Sequence, residues 1–130
     1  MSVWVLTFLG GGIGAISRHA VSHLAGVCFG QEFPFGTLIV NVSGSFLIGF
    51  ADALLGADSR LGASAEARQF FMIGVLGGYT TFSTFSLQTL HLVREGGLVA
   101  AGANVVGSVV LCLMGVYLGF VLGAWLNQSR

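Results

Sequence analysis

Four long apolar stretches, separated by short polar interruptions, set the pattern of this chain. They cover about residues 3–24, 35–55, 69–93 and 98–126. Each is close to or above the roughly 20 residues that a helix needs to cross the hydrocarbon core of a bilayer. The interruptions are the segment before Pro34, the mixed-charge run GADSRLGASAEAR from Gly56 to Arg68, and Arg94-Glu95-Gly96-Gly97. Turn-favouring and charged residues of this kind belong in water. The pattern predicts an all-α integral membrane protein: one domain, 1–130, of four transmembrane helices. Such a protein is a multi-pass resident of a membrane with lipid around it.

Polar side chains inside the spans are not scattered. Thr37, Asn41 and Ser45 recur at i, i+4 and i+8, so they share one helix face, and Asn104, Ser108 and Cys112 repeat the spacing in the fourth span. In the third span Thr80, Thr81, Ser83, Thr84 and Ser86 surround Phe82 and Phe85. An unpaired polar group in hydrocarbon costs several kcal/mol, so these faces meet protein or water. One reading is hydrogen-bond glue between helices; the other is a hydrated path. Glycine adds packing ridges: Gly115, Gly119 and Gly123 in the fourth span, Gly10 and Gly14 in the first. Their spacing lets helix backbones approach closely in lipid.

Composition removes the soluble alternatives. Only 8% of the 130 residues are charged and 55% are apolar, against about 25% charged in an ordinary soluble domain. The first stretch is expected to stay as a span rather than act as a leader, because Arg18 follows the apolar run where a signal peptide has its charge before it. Cys28 and Cys112 lack metal-ligand or disulfide-framework spacing. No nucleophile–base set is evident, so an enzyme is not expected, and nothing suggests nucleic acid. The positive charges are all arginine. With four spans, Arg60, Arg68 and Arg130 fall on one side and Arg94 and Arg18 on the other, almost no orientation bias. Such a chain can insert both ways, which permits an antiparallel homodimer.

The stretch GVLGGYTTFSTFS (74–86) is poor helix-forming sequence in the middle of a span, with Gly77-Gly78 ahead of the β-branched Thr80-Thr81. A break there leaves carbonyls free near the bilayer midplane, tolerated only where they are buried in protein or line a cavity, and suited to a cation. The edges of Phe82 and Phe85 carry partial positive charge and can face an anion. No carboxylate lies near the middle of any span. The candidate lining (Thr37, Asn41, Ser83, Asn104 and Ser108) therefore offers neutral donors that can replace an anion's hydration shell without trapping it. Arg18 is the one cation placed to attract anions to an entrance.

These residues resemble the small bacterial fluoride channels, the Fluc or CrcB family, across essentially the whole chain: GIGAISRH in the first span, FPFGTLIVNVSGSFLIG in the second, GVLGGYTTFSTFS in the third, with a looser match in the fourth. The resemblance implies a dual-topology, antiparallel homodimer in the bacterial inner membrane that passively exports fluoride and rejects chloride. It implies that Phe82 and Phe85 form the aromatic part of the pore, that Asn41 lines it, that Arg18 is the vestibule arginine, and that Ser108 and Asn104 form a polar track. It further implies a structural sodium ion at the dimer interface, held by backbone carbonyls of Gly77 and Thr80. Cys112 stands where that resemblance leads one to expect a hydroxyl residue. Two other readings compete. A small proton-coupled multidrug exporter needs a carboxylate in its first span, and residues 3–24 contain no Asp or Glu. A non-conducting membrane subunit would use the polar stripes only to bind partner helices.

Overall fold

A computed structural model describes residues 2–56 and 63–128, all of whose regular structure is helical. Arg60 and Arg130, on which part of the orientation argument rests, lie outside the described residues. Helix α1 spans Val3–Phe29 and α2 spans Phe35–Leu55. The third stretch is composite: a short α3 (Ala65–Arg68), a π-helical segment Gln69–Leu76, a single turn α4 (Gly77–Tyr79), two extended residues, and α5 (Phe82–Arg94). Helix α6, Leu98–Gln128, completes the chain.

The boundaries follow from local chemistry. Gly30 ends α1 with φ of 79°, a conformation other residues rarely adopt, while its N–H closes on the Gly26 carbonyl at 3.0 Å. Helix α1 thus runs past the expected Leu24. Gly96 does the same for α5 at φ 82°: its N–H bonds the Val93 carbonyl and that of Gly97 bonds Leu92, a Schellman turn that sends the chain directly into α6. Ser64 caps α3 by accepting the Ala67 N–H at 3.1 Å.

Among the described residues three helical stretches are both long and apolar enough to cross a membrane: Phe35–Leu55, Ala65–Arg94 and Leu98–Gln128, with mean hydropathies of 1.8, 1.3 and 2.5. Helix α1 is not among them, although its 27 residues exceed the length a span requires. Its glycines, Arg18, His19 and His23 dilute its apolar content. The chain is a multi-pass membrane protein, and its exposed large side chains, from Trp4 and Phe8 in α1 to Tyr117 and Trp125 in α6, are what such a setting requires.

Packing is glycine-mediated on two seams. A Cβ on Gly10 would lie 2.6 Å from the Phe70 carbonyl oxygen, and one on Gly14 would collide with Val75, so α1 rides directly on the first half of the third stretch. Along the other seam Gly115, Gly119 and Gly123 face Val42, Phe46 and Phe50 of α2, and Gly49 returns the contact against Val116. The glycine ridge of the fourth span is the α2–α6 seam. Helix α5 stands apart from these seams: it packs mainly on α6, buries Phe85 and Leu92, and leaves Phe82, Leu87, Leu90 and Val93 exposed.

Candidate functional site

The interruption of the third stretch is carried by the threonines rather than by the glycines before them. Gly77 keeps helical angles (φ −64°, ψ −37°), whereas Thr80 (−80°, 157°) and Thr81 (−153°, 114°) are extended. Gly78 serves packing instead: a Cβ there would lie 2.5 Å from the Gly11 carbonyl oxygen. The Thr80 N–H and hydroxyl both close on the Leu76 carbonyl at 3.1 Å, ending the first half. The Thr81 hydroxyl accepts the Thr84 N–H at 3.3 Å and so caps α5.

Neighbouring helices hold the break from two sides. From α2, the Asn41 amide accepts the Thr81 N–H at 2.8 Å and donates to the Thr81 carbonyl at 2.9 Å. One turn along, Gly44 leaves room for the Thr80 methyl, and Ser43 shares a hydrogen bond with the Tyr79 hydroxyl at 3.0 Å. From α1, the Arg18 guanidinium donates to the Thr80 carbonyl at 3.4 Å, a long bond. Arg18 therefore sits at the break, well inside its span, rather than only at an entrance.

Beside the break, α2, α5 and α6 bound a groove of about 390 Å³ that brings together Asn41, Phe82, Phe85 and Ser108 with Gly77 and Thr80. The Phe82 and Phe85 rings are 5.2 Å apart and tilted by 51°. Phe85 is buried, while Phe82 is 76% exposed. Cys112 and Ser45 also line the groove, and among the described residues no charged side chain does.

The other residues singled out from sequence lie elsewhere. Asn104 is 2% exposed and sits behind the groove, donating to the Thr89 hydroxyl at 2.9 Å; Thr89 in turn donates to the Phe85 carbonyl at 2.8 Å. Ser108 reaches the Asn104 oxygen only at 3.5 Å. Asn104 thus ties α6 to the helix that carries both rings. Asn104→Ala is expected to lower stability by about 1 kcal/mol, read as a reduced thermal midpoint in detergent. Ser83 is exposed, its hydroxyl 3.4 Å from that of Thr81. Thr37 lines a second, more polar pocket of about 370 Å³ with Ser22, His23 and Gln88. Sequence reading passed over Gln88, whose buried Oε1 has no hydrogen-bond partner among the described residues. Its position three residues after Phe85 was the available signal, since such residues share a helix face.

The groups at the break that could hold a cation are two neutral backbone oxygens, those of Gly77 and Thr80. In a continuous helix the Gly77 carbonyl would receive the Thr81 N–H, which Asn41 takes instead. The Thr80 carbonyl already draws the Arg18 guanidinium. Both are neutral oxygens at the negative end of a helical segment, and among the described residues no group of three His, Cys, Asp or Glu could ligate a metal.

The comparisons with known proteins agree over the full length. Residues 5–120 match the family described as CrcB-like protein, Camphor Resistance (CrcB). A protein of Opitutus terrae named fluoride-specific ion channel FluC is 51% identical over 130 residues, covering 100% of this chain and 98% of its own length. Proteins of the same name from Rhodospirillum rubrum and Methylocella silvestris are 52% and 46% identical; the alignments cover 92% and 98% of this chain and 93% and 96% of theirs. The match over residues 5–120 and these identities lead to one conclusion: the chain belongs to the CrcB family.

Proposed function

We propose that this protein is a fluoride-selective channel that lets fluoride leave the cell passively and so relieves its toxicity. The observation that carries the reading is the groove beside the break, where an amide, a hydroxyl and two aromatic rings meet without a charged group. An anion as strongly hydrated as fluoride has to exchange water for donors. The spare N–H of Asn41, the Ser108 hydroxyl and the ring edges of Phe82 and Phe85 supply them, and none binds so tightly that exit is blocked. Ser83 and Thr37 offer further hydroxyls outside the groove, Asn104 holds the ring-bearing helix from behind it, and Arg18 raises the local anion concentration. The family and the names its relatives carry support the same substrate.

The direction of flow needs no coupling. Fluoride enters as neutral HF, ionises in the more alkaline cytoplasm and is trapped. A negative-inside potential is worth about 2.3 kcal/mol per charge per 100 mV, enough to sustain roughly a fiftyfold outward concentration ratio. An exporter coupled to protons would need a titratable group in the path, and no acidic residue lines the groove. Localisation in the bacterial inner membrane follows from this logic.

The working unit in this reading is an antiparallel homodimer. Phe82 is exposed and the groove is open in the single chain, so a second copy of opposite orientation closes it and brings its own rings. The Gly77 and Thr80 carbonyls of both copies would hold a sodium ion, whose positive charge would offset their partial negative charge. Replacing sodium by a large organic cation is expected to lower the thermal midpoint of the dimer. Mass action makes the effect about 2.7 kcal/mol when sodium stands at a hundredfold excess over its dissociation constant. An unchanged midpoint between the two salts contradicts the site.

The non-conducting subunit reading gains from one observation, that Asn41 and Asn104 are both hydrogen-bonded within the chain. Expression in a bacterium stripped of its own fluoride export separates the two. The channel reading predicts restored growth in millimolar fluoride and lower intracellular fluoride measured with an ion-selective electrode; a subunit that conducts nothing restores neither.

A further inference from the structure

We propose that Asn41 is a positioning residue, which makes the break in the third span and thereby aims Phe82, in addition to offering a donor to the groove. The inference rests on the groove being the fluoride path, and it assigns Asn41 a different task there. Three facts carry it. The first is reciprocity: the amide accepts the Thr81 N–H at 2.8 Å and donates to the Thr81 carbonyl at 2.9 Å, so Oδ1 and one Nδ2–H are committed to a single residue 40 positions away. One N–H remains for an ion, too little for a group acting as a ligand alone.

The second is what that capture does to the helix. The Thr81 N–H would close on the Gly77 carbonyl if the helix continued. Asn41 Oδ1 replaces that carbonyl as acceptor, so the helix is held open and the Gly77 oxygen is released at the groove. The third is leverage. Thr81 is the residue whose hydroxyl caps α5, and Phe82 is the first residue of that helix. Helix α5 meets the rest of the chain mainly along one side, through Phe85, Leu92 and the Asn104–Thr89 bond. Its first turn therefore takes its direction from the Thr81 peptide planes, and Asn41 fixes both of them.

The test separates positioning from ligation by looking where no fluoride is present. A single 4-fluorophenylalanine at position 82 reports the ring by 19F NMR, and amide hydrogen exchange reports Thr81 and the first turn of α5. In Asn41→Ala, fluoride-free, the Thr81 amide is expected to exchange about tenfold faster, as for the loss of one protected hydrogen bond. The fluorine resonance is expected to shift or split, while exchange along the α1 seam at Gly10 and Gly14 stays as in the parent. Asn41→Asp keeps the size and the acceptor for the Thr81 N–H but sets a carboxylate against the Thr81 carbonyl. It should move the fluorine resonance too, and it carries the comparison alone if the alanine variant does not fold. Parent-like exchange and resonance in a folded variant that has lost flux would make Asn41 a ligand only and overturn the proposal. If the parent itself conducts no fluoride, the function falls, while the exchange and fluorine results still decide what Asn41 does to the break.

Discussion

Fluoride efflux through Phe82→Ile is expected to fall about tenfold while the protein remains folded and dimeric. The two halves of that expectation have separate causes. Stability is spared because Phe82 is 76% exposed in the chain, so its replacement opens no cavity, and isoleucine supplies comparable apolar bulk for a partner helix. Conduction falls because isoleucine has no quadrupole. A ring edge facing a dehydrated charge is worth on the order of 1–2 kcal/mol. At about 1.4 kcal/mol per tenfold change in rate, loss of the ring lowers the rate by about tenfold. Phe85→Ile is a less clean experiment, since Phe85 is buried against α6 and its loss disturbs packing as well. Rates are read with a fluoride electrode and assembly by size-exclusion chromatography. Parent-like efflux in Phe82→Ile would remove the ring from the path.

Gly119→Val is expected to be the most damaging single change to the fold. A Cβ on Gly119 falls onto the Phe46 carbonyl oxygen and comes within 3.1 Å of the Phe50 nitrogen. These are backbone atoms of a helix and cannot rotate aside. The α2–α6 seam must separate, at a cost of about 3 kcal/mol, which a small membrane protein is expected to show as poor yield and a sharply lowered thermal midpoint. A Cβ on Gly102 of the same helix would meet nothing within 4 Å; Gly102→Ala is therefore expected to leave the midpoint of the chain close to the parent's. Equal effects at both positions would mean that helix propensity, and not the seam, governs these glycines.

Much of this architecture is legible in the sequence because membrane spans advertise themselves by length and apolarity. The second stretch, 35–55, coincides with α2 at both ends, since Pro34 and Gly56 bracket it. The first reads short because its polar second half resembles a span end, whereas the stop is the positive φ of Gly30. The break is legible as a region but not to the residue. Two glycines look weaker than two threonines on helix propensity, yet the glycines stay helical and Gly78 packs on Gly11, and the threonines leave the helix because Asn41 offers Thr81 a better partner. Tertiary hydrogen bonding overrides propensity there.

The candidate site divides along a similar line. Periodicity puts Thr37, Asn41 and Ser45 on one face, but it does not say which neighbour that face meets at each height. Asn41 and Ser45 reach the groove, while Thr37 opens into the pocket with Gln88. Asn104 and Ser108 separate for the same reason, one tied to Thr89 and the other lining the groove. Cys112 lines the groove as well, so the thiol occupies the place where a hydroxyl was expected, and it offers the path a weaker donor.

The central claim is that this groove conducts fluoride and refuses chloride. Efflux from liposomes containing the purified protein, with a potassium ionophore balancing charge, tests it most directly when fluoride and chloride are followed side by side. Rapid fluoride efflux with chloride retained is the predicted result. Retention of both ions by demonstrably folded dimers would contradict the channel, and release of both at similar rates would contradict the selectivity assigned to the rings and the amide.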